Sequence, residues 1–428
     1  MGMFLYNLLL PLAFVFFLPE LIVKYRNRGG WKTTFGERFA RFAPERIVEL
    51  KEYAGAVWIH AVSVGETVVA LGMIRRYQEL YPDTKFVIST TTTTGQELAR
   101  NKCPENTAVI FCPIDFYWMV RRTFNLIKPS LLVIFETELW PNLLACANRK
   151  KVPCILVNGR MSDHSAKGYR RFRCFFGGLL KRFSLISVQT QADAERFLAV
   201  CPTAAVEVFG NMKFDQPVPE NIADPGLSEC FGTGDFTVLL AASTHPGEEE
   251  VVVKSFIELQ RDFPDLRLVL VPRHAERGAD IAEMLERYQM SYSRRSLGNV
   301  PAEPVQVLLA DTTGEMFKFI KFSDIVIMGK SLAGHDEGHN LIEPALLDKP
   351  IVTGAVLRNF RFILQVLCDA QAVVTVSEDS DLTNRLNRLI ADREFRQELG
   401  KRAGDAIRCH RGATERTVRA LESRRTVR

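Results

Sequence analysis

A chain of 428 residues is too long for one hydrophobic core, and two domains of roughly 200 residues each are expected. The apolar fraction of 47% and charged fraction of 25% exclude a disordered or fibrous chain, and a net charge of +5 gives a nucleic-acid partner no support. Nine Cys, an odd number with no Cys-x-x-Cys pair, argue for reduced thiols in a cytosolic setting rather than a disulfide framework.

From Met1 to Pro19 no side chain is charged. As a helix this segment would span about 28 Å, close to a hydrocarbon core. Pro11 is expected to kink it and Glu20 to end it. Lys24, Arg26, Arg28 and Lys32 follow, while no Lys or Arg precedes, so the positive-inside rule puts the bulk of the chain in the cytoplasm. Residues 1–30 are therefore read as an N-terminal membrane anchor with a basic flank. A cleaved signal peptide would need a basic start and a small-residue site after the apolar run. A buried core helix and a kinked segment in one leaflet are the alternatives.

Short apolar runs then alternate with helical patterns. Strands are predicted at Val57–Val62, Phe86–Thr90, Val109–Cys112, Leu131–Phe135, Cys154–Asn158, Leu185–Gln189 and Val206–Phe209. Between the first two, Ala70, Met73, Ile74, Tyr77, Leu80 and Tyr81 share one helical face. Residues 215–235, rich in Pro, Gly and acids, read as a linker. A second series follows at Val238–Ala242, Leu266–Val271, Val305–Leu309, Ile325–Met328, Ile351–Thr353 and Val373–Val376. The fold class is α/β, with two doubly wound Rossmann-like domains at 31–214 and 236–428. In such sheets ligands bind beyond the carboxyl ends of the strands, and the cleft between two such domains is the default active site.

Strand-end turns carry the candidate chemistry. Ser63 and Glu66, three residues apart at a helix start, fit a capping box; the same carboxylate suits a general base. Glu136 and Glu138 follow an apolar strand; Glu136 would share the cleft with Glu66, and two strand-end carboxylates in one pocket should influence each other's ionisation. Lys213 lies at the entry to the linker, as an exposed lysine or one reaching the cleft. Arg273 and His274 stand just past a buried strand, where Arg suits a phosphate. Gly314 opens a helix in DTTGEM. The loop Gly329–Leu347 offers Gly, Ser and Asn to a phosphate and ribose, with Glu343 placed to accept from ribose hydroxyls. His335, Asp336, Glu337 and His339 share one loop without a ligand set on a regular element, so no metal is expected. Glu248–Glu250 read as acids complementing a helix dipole. The segment Ala166–Phe183 interleaves Lys and Arg with aromatics. It is an amphipathic helix docked on the sheet, a face for anionic lipid, or a nucleic-acid patch; beside an apolar N-terminus the lipid surface is preferred.

The motifs SVGE, ETELWPN, GRMSDHS, GNMKFD, STHPGEEE, VPRHAER and GHNLIEPA occur here in that order. From about Trp31 to the last helix the chain resembles the 3-deoxy-D-manno-octulosonic acid (Kdo) transferases. The resemblance implies a GT-B glycosyltransferase that moves Kdo from CMP-Kdo to a lipid A precursor, with inversion, at the cytoplasmic face of the inner membrane. It implies Glu66 as catalytic base and Glu136 and Lys213 as transition-state stabilisers. It assigns the CMP site to Pro272, Arg273, Thr313, Gly314, Glu315, Asn340, Leu341, Ile342 and Glu343. It implies no cofactor beyond the donor substrate and no nucleic-acid partner. Two departures stand out: Gly329-Lys330-Ser331 where the family has Gly-Gly-Ser, and Glu337-Gly338-His339-Asn340 where it has Gly-Gly-His-Asn. A UDP-sugar enzyme of the same fold, or a non-catalytic membrane-anchored scaffold, are the competing readings.

Overall fold

The structure, a computed structural model, describes residues 2–27 and 36–425. The described residues fall into two compact units, the first within Met1–Gln216 and Arg411–Arg428, the second within Pro217–His410.

The first unit is built on seven parallel strands: β1 (Val57–His60), β2 (Phe86–Thr90), β3 (Thr107–Phe111), β4 (Leu131–Phe135), β5 (Cys154–Gly159), β6 (Leu185–Val188) and β7 (Val206–Val208). Their order in the sheet is β3-β2-β1-β4-β5-β6-β7. β1 to β6 are buried along their whole length, which is why they read as continuous apolar runs rather than alternating ones. The order reverses between β1 and β4, which lie in direct register from Val57 opposite Leu131 to His60 opposite Ile134. Glu66 and Glu136 follow these two strands, so both stand at the switch point where such sheets open a crevice.

The second unit repeats the plan with β8 (Thr237–Thr244), β9 (Leu266–Pro272), β10 (Tyr292–Arg294), β11 (Val307–Leu309), β12 (Ile325–Met328), β13 (Ile351–Gly354) and β14 (Val374–Val376), in the order β10-β11-β9-β8-β12-β13-β14. All thirteen predicted strands overlap observed ones, with ends that agree to within two residues. The edge strand β10 escapes the sequence reading because Tyr-Ser-Arg is not an apolar run.

Three expectations are corrected. The last helix, Ala413–Glu422, was expected in the second domain; it packs in the first, where Ala413, Val418 and Leu421 join Ala70 and Tyr77 in one core. Asp215 fixes the return, its carboxylate accepting from the Gly412 and Thr414 amides at 2.6 Å each. The segment read as linker contains a short helix, Leu227–Phe231, with Leu227 and Phe231 buried. The N-terminal helix runs from Gly2 to Asn27 and does not end at Glu20.

Among the described residues no helix is long and apolar enough to cross a membrane. Arg28 and Lys32 of the basic flank lie outside the described residues, and so do the side chains of Lys24 and Arg26. One side of the first helix is docked on the first unit. Tyr6 donates to Asp115 at 2.9 Å, Asn7 accepts from Asn142 at 2.7 Å, and the Phe14 ring meets Phe116 edge-on at 5.6 Å. The other side, with Phe4, Leu5, Leu8, Leu12 and Val15, is exposed.

Candidate active site

In the first unit β1 ends at His60 and the helix Val64–Leu80 begins four residues on, with Ser63 as its N-cap. Glu66 completes the capping box: its amide donates to Ser63 Oγ at 3.3 Å, Ser63 Oγ donates to Glu66 Oε1 at 2.8 Å, and the Val62 amide donates to Glu66 Oε2 at 2.8 Å. The capping role is therefore realised. It does not use up the group, because an ionised carboxylate has about four acceptor sites and two bonds leave room for more. Burial raises the Glu66 carboxyl above the ordinary glutamate value; the bonds from Val62 and Ser63 oppose this, and the charges of Glu136 and Glu138 add to it. Burial likewise raises Glu138, with Glu136 adding and the Trp140 hydrogen bond opposing.

Glu136 sits just past β4 with φ of 53°, a left-handed conformation rare for a non-glycine residue and associated with functional sites. Arg160 pairs with it at 2.9 Å and Lys213 approaches at 3.9 Å. Lys213 is carried by the 3₁₀ turn Met212–Asp215, which Asn211 caps and which Asn158, at the end of β5, holds by accepting from the Met212 amide at 3.1 Å. Glu136 and Lys213 are thus brought together. Arg160, which the sequence reading did not single out, is the closer cation.

In the second unit a cavity of about 350 Å³ is lined by Pro272, Arg273, Thr313, Gly314, Glu315, Asn340 and Glu343, with Ser243 and His339 at its wall. Seven of the nine residues assigned to a nucleotide therefore share one pocket. Leu341 and Ile342 do not contribute side chains; both are fully buried, and they anchor the short helix Ile342–Leu346. The Glu315 carboxylate is engaged by Arg295 at 2.7 and 2.9 Å, by Thr312 at 2.7 Å and by Lys318 at 3.0 Å, and this network, led by Arg295, lowers it to about 2. Glu343 is raised by burial, opposed by the Asn340 hydrogen bond and the Arg273 charge.

Glu248 does more than complement a helix dipole. Its carboxylate, 1% exposed, accepts from the amides of His245, Lys330, Ser331 and Leu332 at 2.7–2.9 Å. It ties the end of β8 to the loop after β12, the pair of strands where this sheet's order reverses. Glu249 likewise accepts from Thr244 Oγ1 at 2.7 Å and from Arg277 at 2.8 and 3.1 Å. Gly329 allows the close approach, since a Cβ there would stand 2.4 Å from the Ser243 carbonyl oxygen. Gly329→Ala is expected to cost about 1–3 kcal/mol through that overlap, visible as a lower melting temperature and weaker nucleotide binding; unchanged values would show that the loop moves freely.

The two departures from the family pattern meet each other. Lys330 and Glu337 form an ion pair at 3.9 Å, so the added negative charge is offset by the added positive one. Lys330 has φ of 60°, which explains why glycine suits that position. Of the loop residues that superficially resembled metal ligands, Asp336 bonds Arg358 at 2.7 Å, His335 approaches the Pro246 carbonyl, and His339 meets His245 with Nε2 atoms 3.1 Å apart. No group of three or more His, Cys, Asp or Glu among the described residues is arranged to hold a metal ion. Burial lowers His339 to about 4, with His245, Arg273 and Lys330 adding and Glu337 opposing.

The sequence model of the 3-deoxy-D-manno-octulosonic-acid transferases (kdotransferases) matches residues 33–216. The chain is 32% identical over 369 residues to a 3-deoxy-D-manno-octulosonic acid transferase of Haemophilus influenzae, covering 86% of each chain. It is 29% identical to a probable mitochondrial transferase of the same name from Arabidopsis thaliana, covering 92% of this chain and 90% of that one. A glycosyltransferase structure from Rickettsia africae, 10% identical, covers 87% of this chain and 98% of that one with a TM-score of 0.58, which bears on the fold alone. On the strength of the relatives over most of its length, this chain belongs to the 3-deoxy-D-manno-octulosonic acid transferases, glycosyltransferases of lipopolysaccharide synthesis.

Proposed function

We propose that the chain transfers Kdo from CMP-Kdo to a lipid A precursor, lipid IVA, with Glu66 as general base. The observation that carries the donor assignment is the single pocket gathering Arg273, Gly314, Asn340 and Glu343 from separate strand ends. In the reaction the acceptor hydroxyl oxygen attacks the anomeric carbon of Kdo while its proton passes to the Glu66 carboxylate. The bond from that carbon to the phosphate oxygen breaks, and its electron pair leaves with CMP. A sugar hydroxyl attacks slowly unless a base takes its proton as the new bond forms, so an ionised carboxylate is required. Arg273 meets the phosphate, and Lys213 with Glu136 stabilises charge that develops in the transition state. The leaving group has a single phosphate, so a guanidinium and backbone amides suffice to meet it. The exposed apolar side of the N-terminal helix and the exposed Lys167, Arg170, Arg171, Phe172 and Arg173 support attachment to an anionic bilayer, read as the cytoplasmic side of the inner membrane.

Incubation with CMP-Kdo and lipid IVA, with mass spectrometry of the lipid, is expected to show whole Kdo units added. Titration calorimetry with CMP and UDP separates the competing enzyme class: tighter binding of UDP would overturn the donor assignment. A scaffold would bind neither.

A further inference from the structure

Beside the docked N-terminal helix the first unit holds a second cavity, of about 530 Å³. Asn7, Tyr117, Asn142, Asn148, Arg149 and Arg182 line it, with Phe4 at its edge. The two guanidinium groups have no carboxylate partner among the described residues. Arg149 lies over the Tyr117 ring, 4.9 Å from its centroid, and Arg182 makes only a long contact, 3.4 Å, to the Pro141 carbonyl. Cations that face one another without an acid are normally reconciled by an anion. Burial lowers Arg182 below the ordinary arginine value, and the Arg149 charge lowers it further, as expected of a pair lacking its counter-ion.

The surroundings indicate the source of that anion. Phe4, 74% exposed, begins the apolar side of the first helix, and Trp118, 59% exposed, adjoins Tyr117. A ligand in this cavity would therefore have its charged end between two guanidinium groups and its remainder beside an apolar surface. Asn7 and Asn148 offer amide donors for the oxygen atoms that the arginines leave, while the Asn142 amide is engaged by Asn7 and Asp115.

We infer that this cavity holds the phosphate headgroup of a net-anionic bilayer glycerophospholipid, clamped by Arg149 and Arg182, and so fixes how the first unit sits on the membrane. The inference rests on the proposed attachment to an anionic bilayer and adds a specific headgroup site to it. The side chains concerned are not among those given a role in transfer, so turnover in detergent should not depend on them.

The test uses the full chain and co-flotation with vesicles of phosphatidylcholine, alone or mixed with phosphatidylglycerol. Arg149→Gln/Arg182→Gln should lose roughly thirtyfold in affinity for the mixed vesicles, since each basic residue near a bilayer contributes roughly 1 kcal/mol. Its binding to phosphatidylcholine and its turnover in detergent should stay within about twofold. A control of equal charge change in the second unit, Arg385→Gln/Lys401→Gln, should keep wild-type binding. An equal loss in that control would mean diffuse attraction and overturn the site. Wild-type binding that is the same with and without phosphatidylglycerol overturns the inference while leaving attachment standing; no flotation on either vesicle removes both. A raised KM for the lipid acceptor with unchanged vesicle binding would assign the cavity to the acceptor instead. Should the double variant melt early, Arg149→Lys/Arg182→Lys keeps the charge and loses the paired donors, and a several-fold loss is again expected.

Discussion

Glu66→Gln is expected to lower the rate of Kdo transfer by roughly 10²–10⁴-fold, the range for removing a general base. The variant keeps the size of the side chain and one acceptor oxygen, so the Ser63 and Val62 bonds are partly retained and the helix Val64–Leu80 should lose about 1 kcal/mol of capping at most. The magnitudes separate the two roles that the residue could have. A pure capping role predicts a small fall in melting temperature and near-normal transfer. A base predicts a stable protein that binds CMP as the wild type does, because Arg273 and the lining of the nucleotide cavity belong to the other unit, and that hardly turns over. Calorimetry with CMP and a transfer assay on the same preparation give both readings. Transfer at the wild-type rate would remove Glu66 from the chemistry.

Glu248→Ala should have the largest effect on the second unit. Four backbone amides converge on one buried carboxylate, and each buried donor left without an acceptor costs about 1–3 kcal/mol. Relaxation and entering water recover part of that, so a net loss of about 3–5 kcal/mol is expected, the range for breaking a buried charged network. The loop after β12 would lose its tie to the end of β8, and with it the placement of His339 and Asn340 at the cavity wall. Denaturant unfolding and CMP titration should both change: a unit destabilised by that amount, and nucleotide affinity reduced at least tenfold. Glu248→Gln should be milder in size but not neutral, since its NH₂ group faces amides that are themselves donors. Full stability in the alanine variant would show that solvent replaces the carboxylate.

The strands were legible because a parallel sheet covered on both faces leaves continuous apolar runs, and the site followed because its residues stand directly after those runs. Glu66, Glu136, Arg273 and Gly314 could be placed from that pattern alone. What escaped needed contacts distant in sequence. Glu248 looked like an ordinary helix-start acid because three of its four partners lie 82–84 residues further on. The pattern of Ala413–Glu422 announces a face to bury but not which unit will bury it. Tyr6 and Asn7, polar interruptions in an apolar helix, make sense only beside Asp115 and Asn142. Asp115 shows what that docking involves: burial raises its carboxyl to about 7, while the Tyr6 hydroxyl and the amides of Asn142 and Leu143 hold the charged form. Leu341 and Ile342 show how a contiguous motif is carried over whole although only the side chains of its first and last residues line the pocket.

The dependence of kcat/KM for transfer on pH tests the role of ionised Glu66 most directly, because its acid limb reports the base in the free enzyme. Burial and the neighbouring carboxylates raise Glu66, so activity should fall with decreasing pH through a midpoint above the ordinary glutamate value of 4.5. Glu138→Gln removes one of the raising charges and should move that midpoint down while leaving the plateau rate largely intact. A profile with no acid limb, or one that keeps the wild-type acid limb and rate in Glu66→Gln, would contradict the assignment of the base.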